Sequence, residues 1–317
     1  MLRDLRRCPI PCPTLLNPSM SLGDVWAQLL NKGVRLLQGC PTSLRTPLRD
    51  YEPNFPSQRW LDMTGLEKKT AVITGAAGSI GQAISKQFVA NGFHVIAGDA
   101  DQTGMDQLEA ELNRIGQNVW SKAGDLRNKA YCEELIDYSI QITGRLDVLV
   151  NNAGIITRGN ILETTDEDWE RTFDINLTSI FYTCRRAIGH MKGHGGGAIV
   201  NIASCWGLYP GPGHAAYCTS KAAVATLSKC LGRDHAGDGI RVNAVCPNEV
   251  NTPMLRTGFA KRGFNPDTAI AELNNTVPLG RIAEPEDIAD AVYFLSSNAA
   301  RYIAGTTVEV NGAKPVY

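Results

Sequence analysis

The sequence predicts an α/β fold, a doubly wound parallel sheet of seven strands in a single domain preceded by an N-terminal extension. Three observations predict it. Short β-rich apolar runs alternate with stretches of helical periodicity from Thr70 onward. Those runs are mostly continuous in hydrophobicity, as strands buried on both faces are. The first run also leads through a glycine-rich turn into a helix.

The candidate strands are Thr70–Thr74, Phe93–Gly98, Asn118–Ala123, Leu146–Asn151, Ala198–Ile202, Ile240–Cys246 and Thr307–Val310. Between them, Ile80–Asn91, Thr103–Ile115, Lys129–Ile142 and Tyr217–Ala236 carry apolar residues at helical spacing. Right-handed crossovers would cover both faces of the sheet with helices. No internal repeat marks a solenoid.

Residues 1–62 differ in composition from the rest of the chain. Met1–Leu16 is rich in arginine and broken by Cys-Pro and Pro-Cys-Pro. Ser21–Gly39 reads as an amphipathic helix, with Ser21 and Asp24 in a capping pattern, and Pro41–Arg59 reads as a linker. Three readings stay open: an arm that docks on the body or a partner subunit, a start at Met63, or an organelle-targeting segment. The last is disfavoured by Asp4, Asp24 and few serines.

Composition excludes several function classes. With 31 basic and 32 acidic residues interleaved to a net charge of −1, the body of the chain has no basic stripe for nucleic acid. No apolar run approaches the ~18 residues of a membrane span. The nine cysteines lack paired C-x-x-C or zinc-finger spacing, so they read as reduced thiols of an intracellular, cytoplasmic protein. No metal is implied.

The run Thr74-Gly75-Ala76-Ala77-Gly78-Ser79-Ile80-Gly81 supplies a strand end, a tight turn and a helix start. A pyrophosphate there would meet free N–H groups and the positive end of the helix dipole, and glycine lets the backbone approach. This makes the sheet Rossmann-type. Asp99 ends the second strand 99 − 81 = 18 residues after Gly81, near the ~20 expected of an acid that binds the adenosine ribose. Its charge would repel a 2′-phosphate, and no Arg or Lys adjoins it in sequence. NAD is therefore the expected cofactor and NADP the less favoured one.

Tyr217 and Lys221 stand four apart, so they share one helix face. An ammonium beside a phenol brings it nearer to the working range of a base. Ser204 lies 217 − 204 = 13 residues earlier, just past an apolar strand, at the carboxyl edge where open α/β sheets carry their sites.

Together these motifs resemble the short-chain dehydrogenase/reductase family from about Gly65 to the C-terminus. The ordered matches are Thr74–Gly81, Asp125, Asn151-Asn152-Ala153-Gly154, Asn176, and Ser204 with Tyr217 and Lys221. The resemblance implies that Ser204 orients a carbonyl and Tyr217 passes the proton. Lys221 would bind the nicotinamide ribose and tune the tyrosine, and Asn176 would hold a relaying water. It further implies adenosine contacts from Asp125, Leu126, Asn152, Ala153 and Gly154, and nicotinamide contacts from Pro247, Val250 and Thr252. Asn151 and Asn152 could alternatively be plain strand-end amides.

Three departures stand out. Ser79 occupies the place of the middle glycine after Gly78. Pro247-Asn248-Glu249 replaces the usual Pro-Gly, with Asn248 able to take left-handed backbone. The chain closes Val310-Asn311-Gly312-Ala313 where Asp-Gly-Gly is usual.

The expected organisation is an extension, 1–62, and a catalytic dinucleotide-binding domain, 63–317, with a lid at about 248–278. Substrate-facing positions should be Ile155–Arg158, Cys205–Trp206, Tyr209–His214 and Asn248–Val277. Trp206 and Tyr209 would form aromatic walls, and Arg158, His214, Asn248 and Glu249 would favour a sugar, polyol or hydroxy acid. Apolar faces with Ile175, Ile180, Phe181, Val224, Leu227 and Leu231 are either core or, as the resemblance implies, the interface of a homotetramer or homodimer. The expected activity is NAD-dependent interconversion of a secondary alcohol and a ketone. The alternatives are an NADPH-dependent 3-oxoacyl-thioester reductase and, from another class, a non-catalytic dinucleotide sensor or scaffold.

Overall fold

The computed structural model describes residues 68–114 and 119–314; the expected helix Ser21–Gly39 lies outside the described residues. Strands β1 (Thr70–Thr74), β2 (His94–Asp99), β3 (Val119–Ala123), β4 (Val148–Asn151), β5 (Gly197–Ile202), β6 (Ile240–Pro247) and β7 (Thr307–Val310) form one sheet. Its order is β3-β2-β1-β4-β5-β6-β7, and every neighbouring pair is parallel. The strand order reverses between β1 and β4, which opens a crevice at the carboxyl edge.

Both faces of the sheet are covered because successive side chains point to opposite sides. Ala71, Ile73, Val95, Ala97, Val148 and Val150 pack with helices α1 (Ser79–Ala90), α2 (Gln102–Asn113) and α10 (Pro285–Ser296) through Phe88, Met105 and Val292. Val72, Ile96, Leu149 and Ile199 face the other way. They meet α3 (Lys129–Thr143), α5 (Ser179–Met191) and α7 (Ala215–His235) through Leu135, Ile180 and Val224. Continuous apolar runs are what such strands require.

Boundaries shift where side chains compete with the ladder. β4 starts at Val148 rather than Leu146. Asp147 closes the turn instead, its carboxylate accepting from Thr70 N at 2.8 Å and bonding Arg145. Helix α4 (Asp166–Phe173) runs through a π-turn, Asp174–Thr178, into α5, which periodicity did not reveal. A short helix α6 (Cys205–Leu208) follows β5, capped by the Ser204 hydroxyl, which accepts from Trp206 N at 3.1 Å. Beyond β6, α8 (Pro253–Lys261) and α9 (Pro266–Asn275) pack around a small core of Ile270, Val277 and Ile282.

Candidate active site

The glycine turn owes its form to two of its glycines. Gly75 has φ +65°, and a Cβ there would lie 2.7 Å from the Ala153 Cα. At Gly81 a Cβ would overlap the Gly75 carbonyl oxygen, so the first turn of α1 can close on the loop only without a side chain. Gly78 is different: a Cβ there would sit 3.4 Å from its nearest neighbour. Ser79 opens α1 directly after it, so the displaced glycine costs the turn no steric freedom.

One wall of the crevice is fastened to this turn. The Thr74 hydroxyl accepts from Asn152 N at 3.1 Å and Ala153 N at 3.2 Å, while Asn152 Nδ2 donates to the carbonyls of Thr74 and Gly75. Asn151, one residue away, points into the core and bonds Asn201 and Thr183. The two asparagines therefore divide, one to packing and one to the cleft.

An open space of about 1190 Å³ runs along this edge. Gly75, Gly78, Ser79, Ile80, Asp99, Asp125, Leu126, Asn152, Ala153, Gly154 and Thr252 line it. Asp99 is held at its side of the turn, with its two oxygens accepting from Ala77 N and Asp101 N at 3.0 Å. Asp125 is clamped by Arg127, whose Nε and Nη2 donate at 2.9 and 2.6 Å; these bonds first, then the backbone bond and the nearby positive charge, hold its carboxyl below the usual range. Arg171 from α4 also lines this space and adds to that lowering. Sequence proximity to Asp99 gave no sign of it, because helix packing delivers it.

The second part of the cleft, about 930 Å³, continues from the first through Ile80, Asn152, Gly154, Ile155, Thr252 and Met254. Ser204, Tyr217 and Lys221 stand on its wall with Pro247 and Val250. Helix α7 begins at Ala215, after Gly213 at φ +69°, so Tyr217 lies in its first turn and Lys221 one turn on. Lys221 is only 4% exposed, its Nζ donates to the Ile202 carbonyl at 2.8 Å, and burial pulls its pKa down to about 8.

Burial pushes the Tyr217 phenol upward, and a hydrogen bond with Ser204 opposes that shift. The Ser204 bond does not outweigh burial, so the phenol stays above its ordinary value. Burial drives both groups toward their neutral forms.

Asn176 sits in the π-turn and is fully buried. Its Oδ1 accepts from Ile155 N at 2.9 Å, and its Nδ2 donates to Ile155 O and Ser220 Oγ, both at 3.0 Å. The carboxamide therefore fastens the loop after β4 to α7. A Cβ on Gly154 would lie 3.1 Å from Lys221 Nζ and 3.4 Å from Asn176 Oδ1, so Gly154 is where these groups converge. Ser220, buried beside Lys221 in the chain, was not singled out by sequence; only the fold turns it toward Asn176.

Several substrate-side expectations change. Arg158, Trp206, Asn248 and Glu249 line the cleft. Cys205 instead points beneath it, donating to the Cys246 carbonyl, and burial raises its thiol to about 12. Tyr209 is 44% exposed and its hydroxyl donates to Glu309. His214 stands edge-on to Trp206, with ring centroids 4.5 Å apart. Asn248 takes no left-handed backbone. Its N–H donates to Val310 O and extends the pairing of β6 with β7; among the described residues the only non-glycine at positive φ is Ala313, at 62°. Glu249 is drawn away to Lys314, 2.7 Å distant. Ile180 and Val224 belong to the core, and Phe181 stays 46% exposed.

Known proteins are similar to this chain in sequence and in fold. A family model described as enoyl-(acyl carrier protein) reductase matches residues 75–312. The 3-oxoacyl-(acyl-carrier-protein) reductase of Thermotoga maritima is 34% identical over 247 residues, 78% of this chain and 98% of the relative. The 3beta-hydroxysteroid dehydrogenase 1 of Eggerthella lenta is 35% identical over 254 residues, 80% of this chain and 95% of the relative. The crystal structure of an actinorhodin polyketide ketoreductase variant with NADPH superposes with a TM-score of 0.75 at 32% identity, covering 79% of this chain and 98% of that one.

Proposed function

The chain belongs to the short-chain dehydrogenase/reductase family, and from that premise we propose that it is an NAD-dependent dehydrogenase of a small polar secondary alcohol. It is an oxidoreductase acting on CH–OH groups and binds a nicotinamide dinucleotide; the choice of NAD and of a polar substrate is our reading. One observation carries it: Ser204, Tyr217 and, one helical turn on, Lys221 stand together in the wall of a cleft that continues to a glycine turn and Asp99.

The residues that line the cleft suit a dinucleotide. Gly75, Gly78 and Ser79 would face its phosphates, Asp99 its ribose hydroxyls, and Asp125 and Leu126 its adenine side. When bound, it supplies the carbon that takes or gives the hydride. Ser204 orients the substrate oxygen by hydrogen bonding. The Tyr217 hydroxyl gives its proton to that oxygen in reduction and takes it back in oxidation. Lys221, held by Ile202 O, presents its ammonium to the phenolate so formed, and the charge gained there offsets the burial that raises the phenol. Asn176 keeps the loop Gly154–Ile155 against that helix.

Asp99 supports NAD because a 2′-phosphate would meet a fixed carboxylate. Arg171, in the same space, favours a second reading, an NADPH-dependent 3-oxoacyl-thioester reductase, in line with the neighbour solved with NADPH. We further read Asn248–Glu249 with α8 and α9 as a lid over the substrate. Phe181 would take part in a homodimer or homotetramer contact.

Fluorescence titration with NADH and NADPH separates the two cofactor readings. NADH should bind at least tenfold more tightly; tighter NADPH binding would overturn the reading of Asp99. A Tyr217→Phe protein should bind NADH within twofold of wild type and lose about 10³-fold or more in turnover, given what positioned acid–base groups contribute. Unchanged turnover would remove Tyr217 from the chemistry, and wild-type protein that binds NADH but turns over no alcohol or ketone would favour a sensor.

A further inference from the structure

We propose that the cleft is built for an anionic substrate, a hydroxy acid and its keto acid, whose carboxylate is received by Arg158. The inference rests on the dehydrogenase reading and deepens it by naming the substrate class.

Arg158 lies four residues beyond Gly154 and lines the same part of the cleft as Ser204, Trp206 and Tyr217. It is the guanidinium there without a partner, having neither hydrogen bond nor ion pair among the described residues. Six other arginines, Arg127, Arg145, Arg185, Arg186, Arg256 and Arg281, each hold a carboxylate within 3.0 Å, whereas Arg171, in the adjoining space of the cleft, has no ion pair among the described residues either.

Its surroundings are positive. A Cβ on Gly258 would overlap Arg158 Nη2, so α8 rests directly on the guanidinium and removes water from one side, while the rest stays exposed. Arg262 is near enough to act on it electrostatically, and both arginines act on His214. Arg262 itself is fixed over Phe259, 4.8 Å from the ring centroid, and donates to Gly258 O.

No carboxylate of the protein balances this group among the described residues. Glu249, in the same wall, is taken by Lys314, and Asp267 on α9 by Arg256, each at 2.7 Å. A partly desolvated guanidinium with positive neighbours and no internal partner gains most from an external carboxylate, which matches its fork of donors. A neutral polyol offers no such charge. A long apolar chain would leave the guanidinium desolvated for nothing.

The test compares C4–C6 2- and 3-hydroxy acids with their methyl esters, following NADH absorbance. Wild type should prefer the acids at least tenfold in kcat/KM. Arg158→Gln should raise KM for the acids about 10- to 100-fold, the loss expected of a charge-assisted bond, and leave the esters unchanged; Arg158→Lys should fall between. Ester preference in wild type, or equal effects of Arg158→Gln on acids and esters, would overturn the proposal. A binding measurement separates this from failure of the dehydrogenase reading. By calorimetry, the NADH complex of Tyr217→Phe should still bind the corresponding keto acids, and adding Arg158→Gln should abolish that binding. Binding that survives the double substitution defeats the role of Arg158 whether or not turnover is seen.

Discussion

The two ends of the cleft are made of different material. At the glycine turn the walls are backbone: Gly75 against Ala153, Gly81 against the Gly75 carbonyl, and Asp99 pinned by Ala77 N. At the Arg158 end they are side chains from separated loops and from α8, whose support is the small core of Ile270, Val277 and Ile282. The first end has one steric solution, so its sequence is constrained locally. The second can exchange side chains without disturbing the sheet, as expected of a scaffold shared with relatives named for 3-oxoacyl-(acyl-carrier-protein) and for 3beta-hydroxysteroid.

Lys221, between the two ends, should show the largest response. Lys221→Met should lose about 10³-fold or more in turnover, as expected for a group acting on the acid–base pair. It should also melt higher than wild type at pH 7. Below pH 8 the folded and unfolded chains both carry the ammonium, and burying it weakens folding. From about 8 to 10.5 the folded chain is neutral while the unfolded one stays charged, so wild-type stability rises with pH and the penalty is gone above 10.5. A shift of that size corresponds to roughly 3 kcal/mol at most, reduced by the lost bond to Ile202 O. Melting curves at pH 7 and pH 10 check it: the gain should shrink at the higher pH, and equal curves would show that Lys221 is not held in a costly site.

The backbone end should respond next most strongly. Gly81→Ala should weaken NADH binding about 100-fold or more and lower stability by about 1–3 kcal/mol, the range for overpacking. Gly78→Ala should change NADH affinity less than about threefold, since its Cβ has room. If both variants bind alike, the steric account of this end is wrong.

At the side-chain end, Met254→Ala, on the exposed rim of the cleft, should change KM several-fold while moving stability by less than about 0.5 kcal/mol. A large drop in melting temperature would show that α8 is part of the main core after all. The smallest effect on activity is expected at Ala313, whose φ of 62° costs roughly 1 kcal/mol in an L-residue. Ala313→Gly should recover about that much in thermal denaturation, with turnover unchanged.

Much of the site was legible because it is local. The spacing of Tyr217 and Lys221, the strand before Ser204 and the glycine turn are each patterns of a few residues, and the structure brings their side chains into one cleft. What sequence could not read were choices among neighbours. Asn151 and Asn152 point to opposite sides by the pleat, but only packing against Asn201 and Thr183 decides which is buried. Cys205 and Trp206 diverge likewise, one beneath the cleft and one into it. The pair Glu249–Lys314, and the placing of Arg171 where its charge acts on Asp125, bring together residues far apart in the chain, so no local pattern announces them.

The sequence by itself determined the parallel sheet, the side of it that carries the cleft, and the grouping of Ser204, Tyr217 and Lys221, because hydrophobic period, glycine sterics and helical spacing act over a few residues. Only the tertiary structure decided which charges are neutralised. It gave Glu249 a lysine, left Arg158 without a counter-charge among the described residues, and pushed the Tyr217 phenol upward by burial, against the opposing bond of Ser204. Charge and desolvation depend on what lies within a few ångströms in space, and that is fixed when distant segments pack together.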